Sequence, residues 1–243
     1  MRTMAFSPRN AKELVRDPLT FVFGLMLPVL LIAMIRALTN AIGGGVNPAF
    51  AIGNFAPGMA VFSLTFVMLF SSILVSGDRA SAFLARLFAA PLRAADYILG
   101  YSLPVFVIGF LQAAVCLLAA LPFGLSLENL PLAMLALAPT VILMTGLGLF
   151  LGTALTDKQS GGLFPIVINV ATLMSGTWFD LKLIGGWFAS VSYALPFAHA
   201  VDAARLALRG DFSGALPHMG WVFLYAAAVY ALAVWLFRKK MTQ

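Results

Sequence analysis

An all-α integral membrane protein with six transmembrane helices is the fold class this sequence predicts, on three observations. First, 62% of the 243 residues are hydrophobic, 10% are charged, and mean hydropathy is +0.99. A soluble domain holds about 25% charged and 45–50% apolar residues, so these charges are too few to keep a globular surface dissolved. Second, the apolar residues fall into runs of spanning length, about 20 residues each. Third, the basic residues gather on alternate connections, the pattern of cytoplasmic loops.

The N-terminal segment 7–17 reads as a short amphipathic helix with Ser7 as N-cap and Pro8 at the first helical position. Ala11, Leu14 and Val15 share one face, while Arg9, Lys12 and Arg16 can reach lipid phosphates from the interface plane. It is either a surface anchor or a lateral helix that contacts a partner or gates substrate entry. Asp17-Pro18 breaks it and starts the first span. The predicted spans are 19–38, 56–77, 97–122, 130–155, 163–179 and 220–237. The first follows a polar, basic stretch and has no small-residue cleavage site behind it, so it is expected to remain in the protein. A further apolar stretch, 183–204, is broken by Gly185, Gly186, Ser190, Ser192 and Pro196. It is expected to re-enter or lie on the membrane rather than cross it.

Arg2, Arg9, Lys12, Arg16, Arg79, Arg86, Arg93, Lys158, Arg238, Lys239 and Lys240 fall on one side of this layout. Arg36, Lys182, Arg205 and Arg209 fall on the other. Eleven of the 15 basic residues thus place both termini in the cytoplasm. A seventh span would move the basic tail outside. The net charge of +6 has this topological explanation and does not point to nucleic acid. The chain is expected to form a single transmembrane domain, 1–243, in the cell membrane.

Among the connections, 39–55 is uncharged and carries Gly43, Gly44, Gly45 and Pro48, a flexible external loop. Segment 78–96 is longer than a turn of the chain requires. Its Phe83, Leu84, Leu87 and Phe88 form an apolar face at helical spacing, flanked by Arg79 and Arg86 and stopped by Pro91. It rests on the bilayer or docks a soluble motor subunit, and docking is the preferred reading. The polar connection containing Asp157, Lys158 and Gln159 is a second contact for that subunit or a solvated turn.

Within the spans, Gln112, Thr145, Asn169, Thr172 and Ser175 are expected to hydrogen-bond across helices, and Gly148-x-x-x-Gly152 permits close helix approach. No span holds an ionisable residue near its middle, which disfavours coupling to an ion gradient. No Gly-x-Ser-x-Gly, His-Glu-x-x-His or Gly-x-x-x-x-Gly-Lys-Ser/Thr occurs. Serine or zinc proteolysis and P-loop ATP hydrolysis are therefore unsupported, and the chain is not expected to be an enzyme by itself. The lone Cys116 sits in an apolar run, without a disulfide or metal role. A channel, a scaffold or one subunit of a larger transporter remains.

Several stretches resemble the type-2 permeases of ATP-binding-cassette transporters, of the small single-domain exporter kind. They are the basic N-terminal stretch with Arg-Asp-Pro at 16–18, LARLFAAPLRAADYILG at 84–100, Ser175-Gly176, and LPFAHAVDAARLALRG at 195–210. The resemblance implies an elbow helix at 7–17, a coupling helix at 78–92 and short external re-entrant helices in 183–199. Pro196, Asp202, Arg205 and Gly210 match the signature before the last span, where Asp202 and Arg205 also suit a local ion pair. It further implies a homodimer, or a heterodimer with a similar permease, above a separate cytoplasmic ATPase subunit. That partner would bind ATP and magnesium, leaving no cofactor on this chain. Drugs, lipids, peptides and glycan precursors are all possible cargo; the alternative is a gradient-driven carrier or channel without an ATPase.

Overall fold

The computed structural model describes residues 3–16, 22–42, 48–81 and 94–241. Among the described residues all regular structure is helical. α1 is Thr3–Arg16, and α2 runs Val22–Ile42, with a π-helical first turn at Val22–Met26. α3 is Ile52–Ala80, α4 Ala94–Ala119, α5 Leu130–Ala154 and α6 Asp157–Met174. Two short helices, α7 (Leu181–Ile184) and α8 (Gly186–Ala194), lead into α9, Pro196–Leu208. α10, Phe212–Met241, ends the chain. Five of these segments are long and apolar enough to cross a membrane: α2, α3, α4 with its 3-10 extension, α5 and α10.

α3 is the central element. In its most apolar window 78% of the residues are buried, against 22% for α2 and for α10. Met59, Leu64 and Met68 of α3 join Leu137, Leu143 and Met144 of α5 and Val201 and Ala204 of α9 in one core. Met26, Leu30, Met34 and Leu38 of α2 and Leu216, Leu224 and Leu232 of α10 face outward, as on helices solvated by lipid.

The glycine pair Gly148 and Gly152 works inside this core. A Cβ on Gly148 would lie 2.7 Å from the Met68 carbonyl oxygen, and one on Gly152 would lie 2.6 Å from that of Ser72. The motif is therefore occupied in bringing α5 against α3 within one chain. The polar residues of the spans also bond differently from expectation. Thr145 donates to the Val141 carbonyl, Thr172 to Ile168, Asn169 to Pro165 and Ser175 to Thr172, all within the same helix or its cap. A short side chain reaches the carbonyl one turn back without needing a neighbouring helix. Gln112 is buried with its Oε1 unpartnered.

Two element boundaries differ from the hydropathy reading. The helix assigned to 163–179 runs Asp157–Met174, because the polar segment 156–159 is its capped first turn. The N-terminal helix begins at Thr3, so Pro8 lies inside it and forfeits one backbone hydrogen bond instead of starting the helix.

Candidate functional site

α3 carries a polar cluster at each end. Its last turn presents Asp78, which is nearly buried, and Arg79. The Arg9 guanidinium of α1 donates to both carboxylate oxygens of Asp78, at 2.8 and 2.9 Å, the fork-on-carboxylate arrangement that fixes orientation as well as charge. Tyr101 of α4 donates its hydroxyl to Asp78 Oδ2 at 2.5 Å. Arg9 also reaches Glu13 one turn along α1, at 2.7 Å. The Asp78 hydrogen bonds raise the Arg9 pKa further, locking its positive charge. Asn10 adds a bond from its side chain to the Gly100 carbonyl at 3.3 Å. Three helices that are distant in sequence are thus pinned at one carboxylate.

Arg79 turns the other way. It donates to the Gly152 carbonyl at 2.9 Å, to Leu155 at 3.3 Å and to Thr153. Gly152 and Thr153 carry two of the last carbonyls of α5 and Leu155 is its C-cap; such terminal carbonyls lack partners within the helix and attract a cation. The residue assigned to docking is therefore engaged in closing α5 onto α3. Phe83, Leu84, Arg86, Leu87 and Phe88 lie outside the described residues. Of the predicted second contact, Gln159 forms a capping box with Thr156, and Lys158 is exposed. Lys12 and Arg16 are exposed on α1.

The opposite end of α3 meets the segment from α7 to α10. Arg205 of α9 donates to the Asn54 carbonyl at 3.0 Å, the Gly176 carbonyl at 2.8 Å and Asp202 Oδ1 at 3.4 Å. Tyr193 of α8 donates to Asp202 Oδ2 at 3.0 Å. Burial, reinforced by the Asp202 charge, pushes the Tyr193 hydroxyl up to about 12, and burial lowers Arg205 from its ordinary value. Arg209 donates to the Asn54 side-chain oxygen at 2.6 Å. These groups, with Asp180, Lys182 and His218, line a cleft of about 330 Å3. His199 of α9 and His218 of α10 face each other with Nδ1 atoms 2.7 Å apart.

The signature residues before the last helix have plain structural roles. Pro196 opens α9 at a position where its missing N–H costs nothing. Asp202 and Arg205 form the ion pair their spacing suggested. Gly210 follows α9 with φ +83, and the N–H groups of Gly210 and Asp211 bond the carbonyls of Ala207 and Leu206. That is the left-handed glycine cap that satisfies the end of a helix.

Asp78, Tyr101, Asn54, Tyr193 and the histidine pair were not singled out by motif. Asp78 carried one signal, a carboxylate closing a long apolar run, and the partners of the others are set by tertiary packing.

The family model for the ABC-2 type transporter matches residues 2–208. The chain is 27% identical over 211 residues to ABC transporter G family member 20 of Dictyostelium discoideum, covering 82% of this chain and 29% of that protein. It is 26% identical over 225 residues to a protein of Cyanophora paradoxa named as a transport permease, ycf38, covering 87% of this chain and 72% of that protein. The chain therefore spans under a third of the first relative's length.

Proposed function

We propose that this chain, a multi-pass membrane protein that belongs to the ABC-2 type transporter family, is the permease half of an exporter in the cell membrane. Its cargo moves outward between two permeases, two copies of this chain or this chain and a similar one. The ATP and magnesium that drive the cycle belong to a separate cytoplasmic subunit, since this sequence has no P-loop.

The observation that carries the reading is the construction of the Asp78 end of α3. Asp78 ties α3 to α1 and α4, Arg79 ties it to α5, and the segment 82–93 follows directly. A push received on that segment reaches four helices through hydrogen bonds a few residues away. We assign docking to Phe83, Leu84, Arg86, Leu87 and Phe88 with a second contact at Asp157, Lys158 and Gln159, and the elbow role to α1. Six spans are assigned by adding α6, 18 residues long with a capped polar first turn, to the five long apolar helices. With both termini inside, α7 and α8 become the short external re-entrant helices.

The test is co-purification in detergent with the ABC ATPase encoded beside this chain, comparing wild type with Leu87→Asp. Binding by wild type that the substitution abolishes supports the exporter and its docking helix. No ATPase on wild type would reject the reading in favour of a carrier or channel.

A further inference from the structure

The cleft at the Asn54 end concentrates charge, but its groups largely satisfy one another. Arg205 is taken up by two carbonyls and Asp202, Arg209 bonds Asn54, and Asp180 caps α7 through the Lys182 N–H. No ligand class is singled out by what remains. The histidine pair at its edge is different, because its chemistry depends on how many protons it holds.

His199 Nε2 lies 2.9 Å from the Tyr193 carbonyl oxygen, which can only accept, so Nε2 carries the proton. A neutral His199 then has a bare Nδ1. That nitrogen faces His218 Nδ1 at 2.7 Å, so His218 must supply the N–H between the rings, leaving its own Nε2 bare. A first added proton goes to His218 Nε2 and leaves the inter-ring bond intact. A second can only take His199 Nδ1, which replaces the acceptor with another donor and sets two cations in contact.

We propose that His199 and His218 form a proton-operated latch: α9 stays fastened to α10 while the pair holds no added proton or one, and is released by the second. The latch stands on this geometry and not on the exporter reading; under the orientation proposed above it would sense the outer solution. The groups around it can be named element by element. α9 brings Asp202, Arg205 and Arg209, α8 brings Tyr193, α7 brings Lys182 after its cap Asp180, and Asp211 precedes α10. α5 packs on both helices and has no ionisable residue, and those of α3 and α6 sit at their far ends. The Trp221 ring lies tilted against His199, with ring centroids 5.6 Å apart.

These are the only two histidines in the sequence, so selective labelling reads them alone. The protein, 15N-labelled at histidine, purified without a histidine tag and held in nanodiscs with a chelator, is titrated by NMR. The expected result is His199 in the Nε2–H and His218 in the Nδ1–H tautomer at neutral pH. Two macroscopic steps should follow, at least about one pH unit apart as for coupled sites. Amide exchange across 209–213 should rise only with the second step, and His218→Asn should remove that rise. Two independent titrations at a common pH, or exchange indifferent to the second step, would overturn the latch. If His218→Asn does not fold, the wild-type tautomers and step separation decide the question.

Discussion

Replacing Arg9 by Gln leaves the Asp78 carboxylate, 7% exposed, with Tyr101 as its described donor. Stranding a buried charge in this way costs about 3–5 kcal/mol. Arg9 itself is 35% exposed, so water can reach part of the vacated space, and about 3 kcal/mol is expected. Asp78→Asn removes the buried charge instead, and the released guanidinium can turn to Glu13 or to water, for a loss of about 1–2 kcal/mol. The double substitution has no stranded charge and should match Asp78→Asn, so adding the second change to Arg9→Gln stabilises it. Cys116 is the single cysteine and is fully buried, so a thiol-reactive dye reports unfolding directly. At about 2–4 °C per kcal/mol for a chain of this size, Arg9→Gln should lower Tm by about 6–12 °C and the double variant by about 2–8 °C. A double variant as unstable as the sum of the two singles would show that Arg9 and Asp78 do not act as a pair, and the elbow would lose its anchor.

Gly148→Leu should cost at least about 2 kcal/mol or abolish folding, because its side chain would enter the Met68 carbonyl and Ser71, whereas Gly162→Ala, with open space around it, should leave Tm unchanged or higher. Gly210→Ala must adopt φ near +83 and should cost about 1–2 kcal/mol by the same dye assay. Asp211 accepts from the Gly214 N–H and the Ser213 hydroxyl at the start of α10, and the Gly214 bond leads in holding its pKa below the ordinary carboxylate value. Its folded-state pKa is depressed, so its contribution is present above the ordinary Asp value and fades as pH falls through the lower one. Asp211→Asn should therefore flatten the acid side of a Tm–pH profile, and an unchanged profile would count against the cap.

The helices were legible because hydrophobic runs of spanning length have one common solution in lipid. Their ends were less so. Hydropathy cannot recognise residues 156–159 as helical, since a capping box is built from polar residues, and Ser7-Pro8 marked a start that the preceding turn overran. The site was legible by residue type but not by partner. Arg9 and Arg205 stood out as charges in an apolar chain, yet Asp78 is 69 residues from Arg9 and Asn54 is 151 from Arg205. Gly148-x-x-x-Gly152 announced a close approach, but only the packed structure says that α3 makes it.

α3 joins the two clusters. From Asn54 to Asp78 is 24 helical steps, about 36 Å at 1.5 Å each. Between them lie mostly apolar contacts, which have no direction of their own, together with the close approach of Gly148 and Gly152 and a Ser72–Ser160 hydroxyl contact at 3.5 Å. Hydrogen bonds to a carboxylate at one end and to a backbone carbonyl at the other do have direction. A helix held in this way can move as a rod only if both ends re-aim together, because rotation about its axis would strain Arg9–Asp78 and Arg205–Asn54 at once. Arg9, Asp78 and Arg205 therefore stand where they fix the angle of the most buried of the long apolar helices.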